Sequence, residues 1–131
     1  MTPGVGIDTC VVLRLLTGLP EDQAQRARTF LETCARKNVS VLVSDLVTAE
    51  AYHALIYFYE VPKKTALDTL RAFLNSPGIH ATGSAPSVLA DYQGTGAGLV
   101  DRLIRSDLLK HTDRVVSFDK DFCRLPGVHA L

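Results

Sequence analysis

Short apolar segments alternate with longer amphipathic segments along this chain of 131 residues, and this alternation restricts the fold more than any other feature. Short runs rich in apolar and β-branched residues, bounded by turn residues, predict buried strands. The stretches between them have the length and the apolar spacing of helices. Because strands that alternate with helices form a mostly parallel sheet with helices packed on it, we predict an α/β sandwich built round such a sheet.

The predicted elements follow one another without an internal repeat, a low-complexity tract or a long linker. Ser44 is a favourable helix N-cap, Pro62 suits the first turn of a helix, and Thr17–Pro20 interrupts a helix. The predicted strands are Val5–Asp8, Val39–Val43, Ile79–Thr82, Arg114–Phe118 and an edge strand, Val128–Leu131. The predicted helices are Cys10–Leu16, Glu21–Lys37, Val47–Tyr59, Lys63–Asn75, Ser84–Tyr92 and Leu99–Leu109.

Composition and charge narrow the class of protein. The length fits one domain, and a hydrophobic fraction of 47% fits a globular chain. With 14 basic and 14 acidic residues the net charge is zero, so the whole chain has no strongly basic nucleic-acid footprint, although a local basic rim is compatible with it. No signal peptide or spanning helix is predicted. The cysteines Cys10, Cys34 and Cys123 lack metal-site spacing and predict reduced thiols in the cytosol.

Four acidic residues occupy positions that this fold would bring to one place. Asp8 and Asp119 each end an apolar strand segment, whereas Glu50 and Asp101 lie in apolar-rich helical stretches. In an open parallel sheet, sites form outside the carboxyl ends of the strands. Carboxylates that come so close need a cation between them, and Mg²⁺ or Mn²⁺ prefers hard oxygen ligands. The pattern predicts an acidic metal site suited to phosphodiester hydrolysis.

Each of these acids also has a structural explanation. Asp8, between a strand and a helix, is a favoured N-cap, and Asp119 begins an Asp-Lys-Asp segment with good turn chemistry. Asp101 suits a solvent-facing position near a helix N-terminus. Glu50 is harder to explain in this way, because its neighbours are small or apolar and a carboxylate beside a packed surface needs a partner.

The segments around the four acids resemble the motifs of PIN-domain nucleases. The matching segments are, in chain order, Gly6–Val12, Ser44–Leu55, Gly96–Ile104 and Ser117–Val128. The first resembles the family's apolar-Asp-Thr/Ser opening, the second its helix with one Glu, and the third has Asp101 in the place of the key acid. The match covers nearly the whole chain in the correct order. The size of the chain and its Arg-Leu-Pro-Gly-Val ending resemble the VapC-type toxins of bacterial toxin–antitoxin pairs.

This resemblance implies a single PIN domain over residues 1–131, a three-layer α/β/α sandwich, and a cytoplasmic Mg²⁺-dependent endoribonuclease in which Mn²⁺ can substitute. The residues that it assigns to the metal are Asp8, Asp101 and Asp119. It implies that Glu50 binds water of the metal or helps to deprotonate it, and that Thr9 and Ser117 orient the acids. The implied partners are an RNA substrate, a cognate antitoxin protein and a second copy in a homodimer.

Two positions depart from the family pattern. Gly98 stands where relatives often carry another acid, and Arg102 replaces the small residue after Asp101. The first departure predicts a weak second metal position, for which Asp121 can compensate. Arg102 either reaches a phosphate or pairs with an acid, and the sequence leaves both open. The weakened centre supports an alternative function, a PIN-fold interaction protein that acts only through its antitoxin complex.

Other chemistries fit the sequence less well. Glu50–His53 is a single Glu-x-x-His, whereas di-iron bundles need two, and there is no zinc spacing of histidines and no P-loop. A DNA or flap-type nuclease usually carries additional substrate-binding elements, for which this chain has no room. The aromatic segment Tyr52–Tyr59, with the helix Lys63–Phe73, predicts more apolar surface than one domain hides. We therefore expect a homodimer and a groove that takes an apolar antitoxin helix.

Overall fold

The computed structural model describes residues 3–131, which divide into two compact units, one that ends at Thr82 and one that covers Gly83–Leu131. The first unit contains β1 (Gly4–Gly6), α1 (Thr9–Thr17), α2 (Glu21–Arg36), β2 (Ser40–Val43), α3 (Asp45–Tyr57), α4 (Lys63–Leu74) and β3 (Ile79–Ala81). The second contains α5 (Ala85–Asp91), α6 (Leu99–Leu108), β4 (Val115–Ser117), a 3₁₀ turn (Phe122–Arg124) and β5 (Val128–Ala130).

The sheet of the first unit is parallel, with the strand order β1-β2-β3. Val41 of β2 lies opposite Val5 on one side and Ile79 on the other. Val41 and Val43 point to the same face of the sheet and are each 1% exposed, so this face of the central strand is fully covered. Because β1 and β2 run in the same direction, their carboxyl ends lie at one edge of the sheet. This edge therefore receives Asp8, which follows β1, and the start of α3, which follows β2.

Side-chain caps fix where the helices at this edge begin. The Asp8 carboxylate accepts a hydrogen bond from the Val11 N–H at 3.1 Å, and the Ser44 hydroxyl accepts one from the Val47 N–H at 3.2 Å. Each cap satisfies a donor of the first helical turn, which otherwise has no partner within the helix. The helices α1 and α3 therefore begin at Thr9 and Asp45, directly after their caps and slightly earlier than the apolar pattern predicts.

The second unit is built on the parallel pair β4 and β5, in which Val115 lies opposite Val128. These two valines pack with Ala97 and Phe122 in a small buried cluster. Gly127 has a φ of 84°, and a Cβ atom there would lie 3.3 Å from the Leu109 side chain. A glycine is therefore required before β5 both for its backbone conformation and for its lack of a side chain. The turn between the two strands carries Asp119.

The prediction of an α/β fold with parallel strands is confirmed, since every strand pairing within residues 3–131 is parallel. All the predicted helices and strands are present, and they differ from the predictions only at their ends. The predicted strand Val5–Asp8 is wrong at its carboxyl end, because the strand ends at Gly6 and Asp8 caps the following helix. The single domain of residues 1–131 stays a prediction, and Met1 and Thr2 lie outside the described residues. Within residues 3–131, no helix is long and apolar enough to cross a membrane.

Candidate active site

Asp8 lies at the carboxyl end of β1 with an exposed side chain and an extended backbone (φ −94°, ψ −178°). Its Oδ1 accepts the capping hydrogen bond from the Val11 N–H, so Asp8 is the N-cap of α1, as its position between a strand and a helix predicted. An ionised carboxylate has about four acceptor sites, and one backbone N–H uses only one of them. Capping α1 and binding a cation are therefore compatible roles for the same carboxylate.

Glu50 is held by a hydroxyl group. The Thr9 Oγ1 donates a hydrogen bond to the Glu50 Oε1 at 2.8 Å, which joins α1 to α3. Because Thr9 directly follows Asp8, this contact brings Glu50 to the residue next to Asp8. The Glu50 side chain is more exposed than the sequence indicated, although Ala49 and Ala51 on either side of it are buried. The first unit thus contains two acids at one sheet edge, with one of them oriented by a hydrogen bond.

Asp101 and Asp119 form a second pair of acids, within the second unit. Asp101 lies half-buried in the first turn of α6, and Asp119 follows β4, where its Oδ1 accepts a hydrogen bond from the Phe122 N–H at 2.9 Å. Burial raises the pKa of Asp101, and the negative charge of Asp119 raises this pKa further. Since the Coulomb interaction falls with distance, the two carboxylates lie close enough to repel each other. A cation between them would relieve this repulsion.

Ser117 and Asp121 flank Asp119 but do not touch its carboxylate. The Ser117 Oγ accepts a hydrogen bond from the Asp119 backbone N–H at 3.0 Å, so this hydroxyl fixes the turn. Asp121 forms an exposed ion pair with Arg124 at 3.6 Å. The Asp121 side chain makes no capping hydrogen bond to this turn, because the carboxylate of Asp119 accepts the Phe122 N–H. The compensating role of Asp121 at a metal stays a prediction.

Arg102 holds the loop that leads into α6. Its guanidinium lies 4.8 Å from the ring centroid of Tyr92, its Nε donates to the Ala97 carbonyl at 2.7 Å, and its Nη2 donates to the Thr95 carbonyl at 3.3 Å. No ion pair of Arg102 with an acid occurs within residues 3–131. The predicted pairing with an acid is therefore not found, and the side chain is engaged by the loop; a contact with phosphate stays a prediction.

Gly98 is the N-cap of α6 and adopts φ −73° and ψ 175°, a conformation open to any residue. A Cβ atom at this position would have no neighbour within 4 Å. Gly96 differs, because its φ is 74°. The missing acid at position 98 is therefore not imposed by the backbone or by crowding.

A cleft that the sequence did not reveal opens beside Asp8, between α1 and α2. Its volume is about 730 Å³, and Arg14 and Arg26 are among the side chains that line it. Arg14 lies on α1 and Arg26 on α2, and only the packing of these two helices shows that both side chains line the same cleft.

The chain matches the PIN domain family over residues 5–128 and belongs to that family. A comparison with curated proteins gave no significant match. PIN domains are generally nucleases that use divalent metal ions. Family membership therefore assigns this chain to the nucleases, without specifying its substrate or its metal.

The donors in this structure fit a hard divalent cation. The candidate ligand atoms are carboxylate oxygens. Mg²⁺ is usually bound by only one or two carboxylates together with water and phosphate oxygens. The Asp101–Asp119 pair meets that requirement within one unit. In the part of the chain from residue 3 onwards, no group of three or more His, Cys, Asp or Glu side chains forms a metal cluster.

Proposed function

We propose that the protein is a Mg²⁺-dependent endoribonuclease, the toxin of a type II toxin–antitoxin pair of the VapC type, and that Mn²⁺ can replace Mg²⁺. The observation that carries this proposal is the Asp101–Asp119 pair, in which burial and a neighbouring charge raise the pKa of Asp101. Perturbed pairs of this kind are characteristic of functional sites, where a ligand offsets their repulsion. Family membership supplies the nuclease chemistry.

In the proposed mechanism Asp8, Asp101 and Asp119 are the residues that would hold the cation, directly or through water. When bound, a divalent cation activates water and neutralises the charge that develops on the phosphoryl group. Glu50 accepts the proton of the attacking water, a role that requires a carboxylate fixed in one orientation. The Thr9 hydroxyl fixes it, since it donates to Glu50 at 2.8 Å. Ser117 acts on the backbone of Asp119 and so keeps the turn that presents this acid.

The proposed partners are RNA, an antitoxin protein and a second copy of the chain. Tyr57 and Phe58, at the end of α3, are 75% and 86% exposed, which supports a protein contact at this surface. Tyr52 does not contribute to it as the sequence suggested, because it is only 5% exposed. We place the protein in the cytoplasm, where RNA is the available substrate and reducing conditions suit three free cysteines. Light scattering at micromolar concentration tests the homodimer, with Phe58→Glu expected to give monomers.

Replacing Asp8 by Asn tests the proposed activity. Asn retains the N-cap, so the fold is preserved, whereas the loss of a charged ligand lowers Mg²⁺-dependent RNA cleavage by orders of magnitude. Asp22→Asn, an exposed acid in the first turn of α2, is the control and keeps full activity. Equal activity of Asp8→Asn and the wild type would refute the site. Sequencing the ends of the RNA fragments identifies the target.

The alternative function, a catalytically weakened PIN-fold protein that acts through its antitoxin complex, is favoured by one observation, the missing acid at Gly98. A Mg²⁺ and Mn²⁺ titration with a turnover assay separates the two functions. Turnover that depends on the metal supports the ribonuclease. The absence of turnover at every concentration of either metal, together with an intact antitoxin complex, supports the alternative.

A further inference from the structure

The cleft between α1 and α2 has the size and the lining of a ligand site. Its volume of about 730 Å³ lies within the range of roughly 300–1,000 Å³ that ligand clefts occupy. Ile7, Val11 and Ala27 supply apolar surface, and Phe30 lines the cleft with 39% of its surface exposed. Asp8, the proposed catalytic acid, lines the same cleft. A ligand bound here therefore lies next to the proposed site of cleavage.

Two arginines give this cleft a positive charge. Arg14 lies on α1 and Arg26 on α2, and both line the cleft, whereas Asp8 is the only acidic residue among the described residues that line it. The Arg14 Nε donates to the Gln23 Oε1 at 2.6 Å, which positions this guanidinium at the rim with a neutral partner. Among residues 3–131, no acid forms an ion pair with either arginine. In a chain of zero net charge, two cations without an acidic partner in one cleft favour an anionic ligand.

We propose that this cleft binds single-stranded RNA beside the scissile phosphate, an inference that rests on the proposed ribonuclease function. Arg14 and Arg26 contact the phosphates, and an unpaired base stacks on Phe30 above the apolar floor. Proteins that bind single strands combine basic grooves with aromatic side chains in this way. A duplex would not fit this chemistry, because its bases are stacked on each other and expose no face to Phe30.

Binding of a short fluorescent single-stranded RNA to the Asp119→Asn protein tests the proposal without cleavage. Arg26→Ala should weaken binding about tenfold, the loss expected for one charge-assisted contact. It should also reduce the slope of log K against log salt by about 0.7, the value for one phosphate contact on a single strand. Arg26→Lys should restore most of the affinity. The matched control is Arg28→Ala, because Arg28 lies on the same helix, does not line the cleft and should leave both quantities unchanged.

Phe30 gives a separate test of stacking. Phe30→Leu should weaken RNA binding about fivefold, since one stacked base contributes about that much or more, and should leave the salt slope unchanged. Phe30→Tyr should bind like the parent, because its ring is retained. An equal loss in Phe30→Tyr and Phe30→Leu would refute the stacking contact.

Three results would overturn the RNA cleft. The first is an equal effect of Arg26→Ala and Arg28→Ala, which would indicate only general charge attraction. The second is unchanged RNA binding in Arg26→Ala together with weaker capture of a partner protein, which would assign the cleft to a protein segment. The third is an Arg26→Ala variant that cleaves RNA as fast as the wild type. This result would reject RNA binding in the cleft and leave the proposed ribonuclease function standing. A wild type that binds RNA with the predicted dependence on Arg26 but never cleaves it rejects the ribonuclease and leaves the cleft.

Discussion

The two units organise their acids in different ways. In the first unit, Glu50 is oriented by a neutral donor, the Thr9 hydroxyl, and needs no cation to stay in place. In the second unit, Asp101 and Asp119 repel each other, and the pKa of Asp101 rises as a result of burial and of this repulsion. The first arrangement suits a group that accepts a proton, and the second suits a group that binds a cation. We therefore expect substitutions at Thr9 and Glu50 to change the rate of cleavage, and substitutions around Asp101 to change its metal dependence.

The largest effect is expected for Glu50→Gln. General-base residues contribute about 10²–10⁴-fold to rate, so turnover should fall by that amount while the Mg²⁺ concentration for half-maximal activity changes little. Single-turnover cleavage over a Mg²⁺ titration measures both quantities, and circular dichroism checks the fold. Glu32→Gln, an exposed glutamate on α2, serves as the control. Normal turnover of the Glu50→Gln protein would exclude Glu50 from catalysis, and the site would then consist of aspartates alone.

Thr9→Val should have the next largest effect. It removes the donor to Glu50 while preserving shape, and a hydrogen bond to a charged group is worth about 1.5–3 kcal/mol. Turnover should fall about tenfold, because Glu50 keeps its charge but loses its fixed orientation. Thr9→Ser retains the hydroxyl and should recover most of the rate. If Val and Ser at this position behave alike, the hydrogen bond has no part in catalysis.

Gly98→Asp should strengthen Mg²⁺ binding by the acids of the second unit. The backbone at Gly98 accepts any residue, and a Cβ atom there has free space. An added carboxylate three residues before Asp101 should lower the Mg²⁺ concentration for half-maximal activity about fivefold, equivalent to about 1 kcal/mol. Gly98→Asn provides the same N-cap without the charge and should leave this concentration unchanged. A similar shift in both variants would attribute the effect to the helix cap.

The smallest effect is expected on the metal-free stability of Asp101→Asn, a quantity measured apart from the loss of activity that is expected at a proposed metal ligand. Because the folded-state pKa of Asp101 is raised, its stabilising contribution is present at low pH and is lost as the pH rises through that pKa. Without metal, the Asn variant should therefore melt above the wild type at pH 7. The difference should shrink as the pH falls through the ordinary aspartate pKa of about 3.9, because the aspartate then becomes protonated in both states. Thermal melts over pH 3–8 measure this, with the exposed Asp113→Asn as control. A constant difference at every pH would exclude a titration effect.

Much of the fold could be predicted because its signals are local. Ser44 and Pro62 mark helix starts through capping and a fixed backbone angle, and the β-branched run that contains Val41 marks the central strand. The clustering of Asp8 near Glu50 also follows from sequence, because parallel neighbouring strands place their carboxyl ends at one edge. These inferences depend on residues close to one another in the chain or on the period of an element.

The remaining features depend on packing between distant segments. The contacts of Arg102 require Tyr92 and the loop carbonyls of Thr95 and Ala97 to lie at particular distances, which no spacing rule specifies. The ion pair of Asp121 with Arg124 depends on the 3₁₀ turn that separates them. The cleft beside Asp8 depends on how far apart α1 and α2 pack. Sequence reasoning named the acids of the site and the hydroxyls of Thr9 and Ser117 beside them, but not the contacts of Arg102 or the cleft.

The contacts of Arg102 also determine how the start of α6 responds to heat. The preceding loop contains Gly94 and Gly96 at positive φ, and glycines lose more conformational entropy on ordering than other residues do. One arginine, through two hydrogen bonds and one ring contact, offsets this entropy for the segment that leads to Asp101. The contacts of Arg102 act together with the burial of Ala97 and Leu99, and they oppose a loop whose disorder becomes more favourable with temperature. The loop at Gly94 and Gly96 is consequently expected to loosen on warming before the buried cluster around Phe122 melts.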